Sequence, residues 1–121
     1  MAGALFPALL KPEVLERMRL NGWEFVDYLE GDECVCSGMV KGPEIHITIA
    51  PEWRGRALSR RRVRAFLAPL MARHGYLATR IRREGVEAQA FVTRLGFKRT
   101  WEDPMFFYYE LTQLPFERKA K

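Results

Sequence analysis

The stretch that decides the fold is residues 44–59, Glu-Ile-His-Ile-Thr-Ile-Ala-Pro-Glu-Trp-Arg-Gly-Arg-Ala-Leu-Ser. In its first half, isoleucine and polar residues alternate strictly, which predicts a β-strand over Glu44–Ala50. A proline and a glycine then end the strand. Apolar residues next recur at helical spacing from Val63 to Met71, which predicts a helix that includes Pro69 and stops at Gly75. The stretch is therefore a strand, a tight turn and the start of a helix.

The start of this helix is strongly basic, with arginines at positions 54, 56, 60 and 61. A helix N-terminus favours a phosphate because its first N–H groups are unpaired and its dipole is positive there. Positively charged side chains at this end interact unfavourably with the helix dipole, so a sequence that places them there is expected to bind an anion. The alternative interpretation is an ordinary strand–helix connection with a solvated basic turn.

The whole chain has 121 residues, which suits one domain (1–121), with a short helical segment at 1–22 and a tail at 112–121. Its composition, 48% hydrophobic and 29% charged, excludes a disordered or membrane-spanning chain. The apolar run Ala2–Leu10 is too short for a membrane span and has no basic residue before it, so we expect no signal peptide or anchor.

The two cysteines, Cys34 and Cys36, are expected to share one strand face, where a mutual disulfide is awkward. Two cysteines alone do not complete a zinc site, so no metal is expected. A reduced, cytoplasmic protein is the prediction.

The net charge of +5 is unevenly distributed. Residues 1–53 carry four Lys or Arg and nine Asp or Glu, whereas residues 54–100 carry thirteen and two. The basic block favours an anionic partner: a phosphate ligand, a nucleic-acid backbone or an acidic protein. The alternative is an arginine-rich composition without a partner. Direct nucleic-acid binding by the helix segment Arg60–Arg64 is a weaker interpretation, because no aromatic residues interleave with that run.

Periodicity and turn residues predict one strand–helix–strand crossover in an otherwise antiparallel series, hence an α/β (α+β) fold with a mixed, mostly antiparallel sheet flanked by helices. The predicted elements are a helix from Pro12 to Asn21, strands at Trp23–Leu29, Glu33–Val40 and Glu44–Ala50, the long helix, a strand at Tyr76–Ile81, a helix at Val86–Leu95 capped by Gly96, and strands at Phe97–Trp101 and Met105–Leu111.

Over residues 33–111 this sequence resembles the GCN5-related N-acetyltransferases (GNAT). Their turn motif, Arg/Gln-x-x-Gly-x-Gly/Ala, falls on residues 54–59, and Phe91-Val-Thr-Arg-Leu-Gly-Phe97 is similar to the short helix and Gly-Phe exit of the family. The resemblance implies that acetyl-CoA pairs with the strand main chain near Ile49. Its pyrophosphate would lie in a cradle formed by Arg54, Gly55, Arg56, Ala57, Leu58 and Ser59.

The chain also departs from the family pattern. Ala57 stands where the motif has its first glycine and Ser59 where it has its second small residue, so the backbone approaches a phosphate less closely. Gly85 and Val92 fall where the family has an asparagine and a general-acid tyrosine. Tyr108 and Tyr109 are candidate replacements for that acid, although aromatic residues in a terminal strand are usually core.

The resemblance implies a glutamate base on or near the motif strand, for which Glu44 is the candidate. His46 lies on the same strand face, and histidine as a residue type titrates near neutrality. Histidine in a strand can also serve packing alone, so both roles for His46 remain open.

Two functions follow from the resemblance. The first is acetyl transfer from acetyl-CoA to an unidentified amine. The second is a catalytically inactive GNAT-fold protein of the compact, phage-like kind, located in the virion, whose basic face binds an acidic partner or a nucleic-acid backbone. The exposed terminal strand Met105–Leu111 is where the resemblance places pairing into a homo-oligomer or larger assembly.

Overall fold

The computed structural model describes residues 10–55 and 59–114. Within those ranges the predicted order of helices and strands is confirmed. The elements are α1 (Pro12–Leu20), β1 (Glu24–Glu30), β2 (Glu33–Lys41), β3 (Glu44–Ile49), a single 3-10 turn (Pro51–Trp53), α2 (Arg60–His74), β4 (Leu77–Arg82), α3 (Val86–Arg94), β5 (Lys98–Glu102) and β6 (Phe106–Leu111). The chain forms two compact units, residues 1–57 and 58–121. Most of the apolar run Ala2–Leu10 and of the polar tail lies outside the described residues.

The first unit is a short helix followed by a three-stranded antiparallel meander. Proline begins α1, where its missing N–H costs nothing, and Asn21 ends the helix. β1 pairs with β2 and β2 pairs with β3, each in antiparallel register. Meanders of this kind need only short connections, and two-residue turns suffice here.

The core of the first unit lies where β3 ends. Val35 and Ala50 are fully buried, Trp53 is 7% exposed, and the side chains of Tyr28 and Ile49 pack against this cluster. The Trp53 indole N–H donates to a carboxylate oxygen of Glu33 at 3.1 Å, so its polar atom is satisfied inside an apolar setting. The 3-10 turn after β3 is therefore anchored to the β1–β2 hairpin.

A β-bulge in β2 separates the two cysteines. Cys34 pairs with Leu29 and Cys36 pairs with Tyr28, so Val35 is the extra residue of the longer strand. The side chains of neighbouring residues in β1 point to opposite faces of the sheet, and so do the side chains of the two cysteines that pair with them. The prediction that Cys34 and Cys36 share one strand face was therefore wrong. Neither cysteine is in a disulfide, and burial raises the pKa of Cys36 to about 12.

In the second unit, a long helix precedes three antiparallel strands in the order β4–β6–β5. The predicted apolar stripe of α2 is buried at Val63, Phe66, Leu67 and Leu70, and the helix continues through Pro69. Gly75 ends it with a φ of +80°, a left-handed conformation that suits glycine. Among residues 10–55 and 59–114, no helix combines the length and apolarity that a membrane crossing requires.

Candidate functional site

Glu44 and His46, the two base candidates, form a pair on β3. Strand alternation places both side chains on one face, and His46 Nε2 lies 2.7 Å from Glu44 Oε2. The side chain of His46 is 27% exposed and that of Glu44 is 34% exposed. The pair is thus close enough for a hydrogen bond and accessible to a small molecule. A carboxylate at one ring nitrogen fixes the orientation and tautomer of an imidazole, which leaves the other nitrogen for a second partner.

Aromatic and cationic side chains of the same unit surround this pair. The Trp23 ring lies 5.9 Å from the His46 ring, and the Lys41 ammonium lies 5.9 Å from the Trp23 ring centroid. Lys41 is also the cross-strand partner of Glu44. The candidate base pair therefore shares its strand face with an aromatic ring and a lysine.

The proposed cofactor strand and the beginning of the turn are also in the first unit. Ile49 is the last residue of β3 and pairs with Cys36. Arg54 closes the 3-10 turn in an extended conformation and is exposed. Gly55 has a φ of +84°, and an added Cβ would meet no atom of residues 10–55 or 59–114 within 4 Å. Its conformation, rather than lack of space, therefore favours glycine at this position.

In the second unit, Ser59 begins α2 as its N-cap. Its backbone is extended, and its hydroxyl accepts the amide hydrogen of Arg62 at 3.1 Å. The first turn contains no acidic residue, and arginines fill positions 60–62. This role of Ser59 was missed in the sequence, although a serine directly before a helical period is a standard N-cap signal. Arg56, Ala57 and Leu58 lie outside the described residues.

The sequence resemblance predicts the general acid and the asparagine of the GNAT family at positions 92 and 85, which hold other residues. Val92 lies on α3, is 7% exposed and contributes only hydrocarbon. Gly85 precedes the same helix as its N-cap residue. Of the two tyrosines considered as replacements, Tyr109 is 3% exposed and belongs to the core.

Tyr108, the other tyrosine, is hydrogen-bonded to a carboxylate. Its hydroxyl donates to Asp103 Oδ2 at 2.6 Å, and the amides of Met105 and Phe106 donate to Asp103 Oδ1. The tyrosine hydrogen bond is the main reason that the pKa of Asp103 is lowered, and it raises the pKa of Tyr108. A tyrosine with a raised pKa gives up its proton less readily, so Tyr108 is poorly suited to protonate a leaving thiolate.

The part of the chain that the structure describes contains no cluster of three or more His, Cys, Asp or Glu side chains able to hold a metal ion.

Comparison of the sequence with protein-family models and with curated proteins finds no match. Solved structures do match. Campylobacter jejuni N-acetyltransferase PseH has a TM-score of 0.63 and 14% identity, covering 90% of this chain and 86% of that chain. PseH in complex with acetyl coenzyme A gives a TM-score of 0.59 at 14% identity, with 84% and 76% covered. The Escherichia coli ribosomal-protein-S18-alanine N-acetyltransferase gives the same four values. At these identities the likeness concerns the fold, and the predicted GNAT-like α/β fold is confirmed.

Proposed function

We propose that this protein is an acyl-CoA-dependent N-acetyltransferase that transfers the acetyl group of acetyl-CoA to an amine. The observation that carries the proposal is the Glu44–His46 pair, 2.7 Å apart on the strand that leads to the basic turn. The GNAT-like fold supports it, since PseH, one of the similar structures, is crystallised with acetyl coenzyme A.

In the proposed reaction, the neutral amine attacks the thioester carbonyl carbon. A carbon–nitrogen bond forms, the carbon–sulfur bond breaks, and His46 accepts the proton that the amine loses, directly or through water. Glu44 orients the imidazole through its contact with Nε2. The sulfur leaves as CoA thiolate and takes its proton from solvent, since Val92 has none to give. Positioning of the amine and polarisation of the carbonyl by backbone amides supply most of the acceleration.

For the cofactor, we propose main-chain contacts at Ile49 and a pyrophosphate site over Arg54–Ser59. Arg54 brings an exposed cation, and Gly55 provides the left-handed backbone that such a turn requires. The amide of Arg62 is already bonded to Ser59, so this donor is not available to a phosphate. Pyrophosphate binding would therefore depend more on the arginine charges here than it does in a turn that has glycine at positions 57 and 59.

For the amine that accepts the acetyl group, we propose a positively charged molecule. Residues 1–53 are acidic, which favours a cationic acceptor such as a polyamine, an aminoglycoside or a lysine side chain. The proposed location is the cytoplasm.

Calorimetric titration with acetyl-CoA, with CoA as the control ligand, tests the cofactor half of the proposal. We expect micromolar binding of acetyl-CoA. Arg54→Ala combined with Arg56→Ala should abolish it, and the matched double variant Arg73→Ala with Arg94→Ala, which removes the same charge from elsewhere in the chain, should not. Absence of binding at millimolar ligand would contradict the proposal.

Release of free CoA thiol in the presence of an amine panel tests the catalytic half. His46→Ala should lower the turnover roughly a hundredfold or more, as expected for loss of a general base. His74→Ala removes the only other histidine and serves as the control. If turnover of the His46 variant equals that of the native chain, His46 is not the base.

A second candidate function is a catalytically inactive GNAT-fold interaction protein of the compact, phage-like type, located in the virion. The observation that favours it is Val92, which cannot act as an acid, together with Tyr108, whose hydroxyl is bonded to Asp103. Under this alternative the arginine double variant weakens association with an acidic partner, and acetyl-CoA does not bind.

A further inference from the structure

The strand pairings of the second unit gather aromatic and cationic side chains on one sheet face. Arg80 lies opposite Tyr108 on β6, and Trp101 of β5 lies opposite the same tyrosine from the other side. We call this surface the aromatic–arginine face; its members are Arg80, Arg82, Lys98, Trp101, Phe106 and Tyr108. In sequence these residues are spread over nearly thirty positions, and only the β4–β6–β5 order brings them together.

The rings of this face form a continuous row. Trp101 is 62% exposed, and its ring centroid lies 4.8 Å from that of Tyr108. The Phe106 ring lies 6.2 Å beyond Tyr108, and the guanidinium groups of Arg80 and Arg82 lie 5.0 and 5.9 Å from its centroid. A tryptophan exposed to this degree leaves much of its ring surface open, which points to a partner with a flat π surface.

The charges of this face favour an anion beside that π surface. Arg80, Arg82 and Lys98 are all exposed. Two carboxylates belong to the same face: Glu110 by its register, and Asp103, which accepts the hydrogen bond of Tyr108. Arg82 also approaches Glu84 at 3.7 Å, but both side chains are largely exposed, and such a pair is weak enough for a phosphate to displace.

We propose that the aromatic–arginine face binds single-stranded nucleic acid. A base stacks on Trp101, and the neighbouring phosphates contact Arg80 and Arg82. Unpaired bases can present their flat surfaces to a protein ring, whereas in a duplex they are stacked on one another, so the face should discriminate between the two. This site differs from the helix segment Arg60–Arg64 and does not rest on the proposed acetyltransferase activity.

Fluorescence anisotropy with labelled oligo(dT) and oligo(U) of about 15 nucleotides, a length near the upper site size of such platforms, provides the test. A duplex of equal length is the competitor. We expect both single strands to bind and the duplex to bind more weakly; a preference for oligo(U) would indicate RNA as the ligand. Tryptophan emission should be quenched on binding, because the most exposed indole described is that of Trp101.

Three variants separate stacking from general charge. Trp101→Ala should weaken binding at least about fivefold, and Trp101→Phe should retain most of it. Arg80→Gln with Arg82→Gln should lower the slope of log affinity against log salt by about 1.4. The control is Arg73→Gln with Arg94→Gln, which removes the same charge from α2 and α3.

Several results would overturn the proposal. These are equal affinity for duplex and single strand, an unchanged affinity in Trp101→Ala, or equal losses in the two arginine double variants. Light scattering tests the alternative that a second copy of the chain binds this face. If the native chain is a dimer and Trp101→Ala is a monomer, the face joins two copies and the proposal is wrong.

Discussion

Replacement of Ser59 separates the stability of α2 from its proposed role in cofactor binding. The Ser59 hydroxyl accepts the amide hydrogen of Arg62 at 3.1 Å, and the first helical turn holds three arginines and no acidic residue. Ser59→Ala removes the cap and should lower the free energy of unfolding by about 1 kcal/mol. For a chain of this length, that corresponds to a fall in melting temperature of roughly 3–6 °C.

Ser59→Asp should act in the opposite direction on stability. Aspartate caps a helix about as well as serine, and its charge interacts favourably with the helix dipole, a gain of about 0.3–1 kcal/mol. The same charge repels a pyrophosphate. Two unit charges about 6 Å apart repel by roughly 0.7–2.8 kcal/mol at effective dielectric constants from 80 to 20, so acetyl-CoA should bind at least about threefold more weakly.

Urea unfolding and calorimetric titration of both variants measure the two effects on the same samples. The expected pattern for Ser59→Asp is higher stability with lower affinity. A variant that is more stable and binds acetyl-CoA as tightly as the native chain would refute the placement of the pyrophosphate at this helix start. Unchanged stability in Ser59→Ala would refute the capping role.

Gly55→Ala should destabilise the chain by about 1 kcal/mol in urea unfolding, because its φ of +84° is unfavourable for alanine. The pKa of Asp103 is lowered in the folded chain, so its ionised carboxylate stabilises the fold above the pKa of the unfolded carboxyl, and this stabilisation is lost as the pH falls through the folded value. In Asp103→Asn the free energy of unfolding should therefore fall less steeply with acidification below about pH 4. In native protein at pH 8, iodoacetamide should label Cys34 well before Cys36, whose buried thiol has a pKa of about 12, and mass spectrometry that finds equal labelling would contradict this.

The elements that could be predicted from sequence are those with a strong local pattern. Alternating isoleucines defined β3, and the apolar stripe from Val63 defined α2 through Pro69, because both patterns depend on residues within one element. Gly75 was recognised as a helix stop for the same reason. The Glu44–His46 pairing was also within reach, because alternation places residues two apart on one strand face.

Features that depend on pairing between distant segments could not be predicted. The bulge at Val35 is one extra residue relative to β1, so only the strand register shows it. The proximity of Trp23 to His46 requires the completed meander. Likewise, Arg80 and Trp101 are brought together by Tyr108, which pairs with both, and no local pattern in either segment indicates this.

The β4–β6–β5 order has a consequence for how the second unit is synthesised and folded. Within this unit β6 pairs with both β4 and β5, yet it is the last of the three strands to be made. β4 and β5 therefore have no strand partner in their own unit until residues 106–111 have emerged from the ribosome. The meander of the first unit pairs strands in the order of their synthesis and can form earlier. During that interval the five exposed residues of β5, charged at Lys98, Arg99 and Glu102, disfavour edge pairing with other nascent chains.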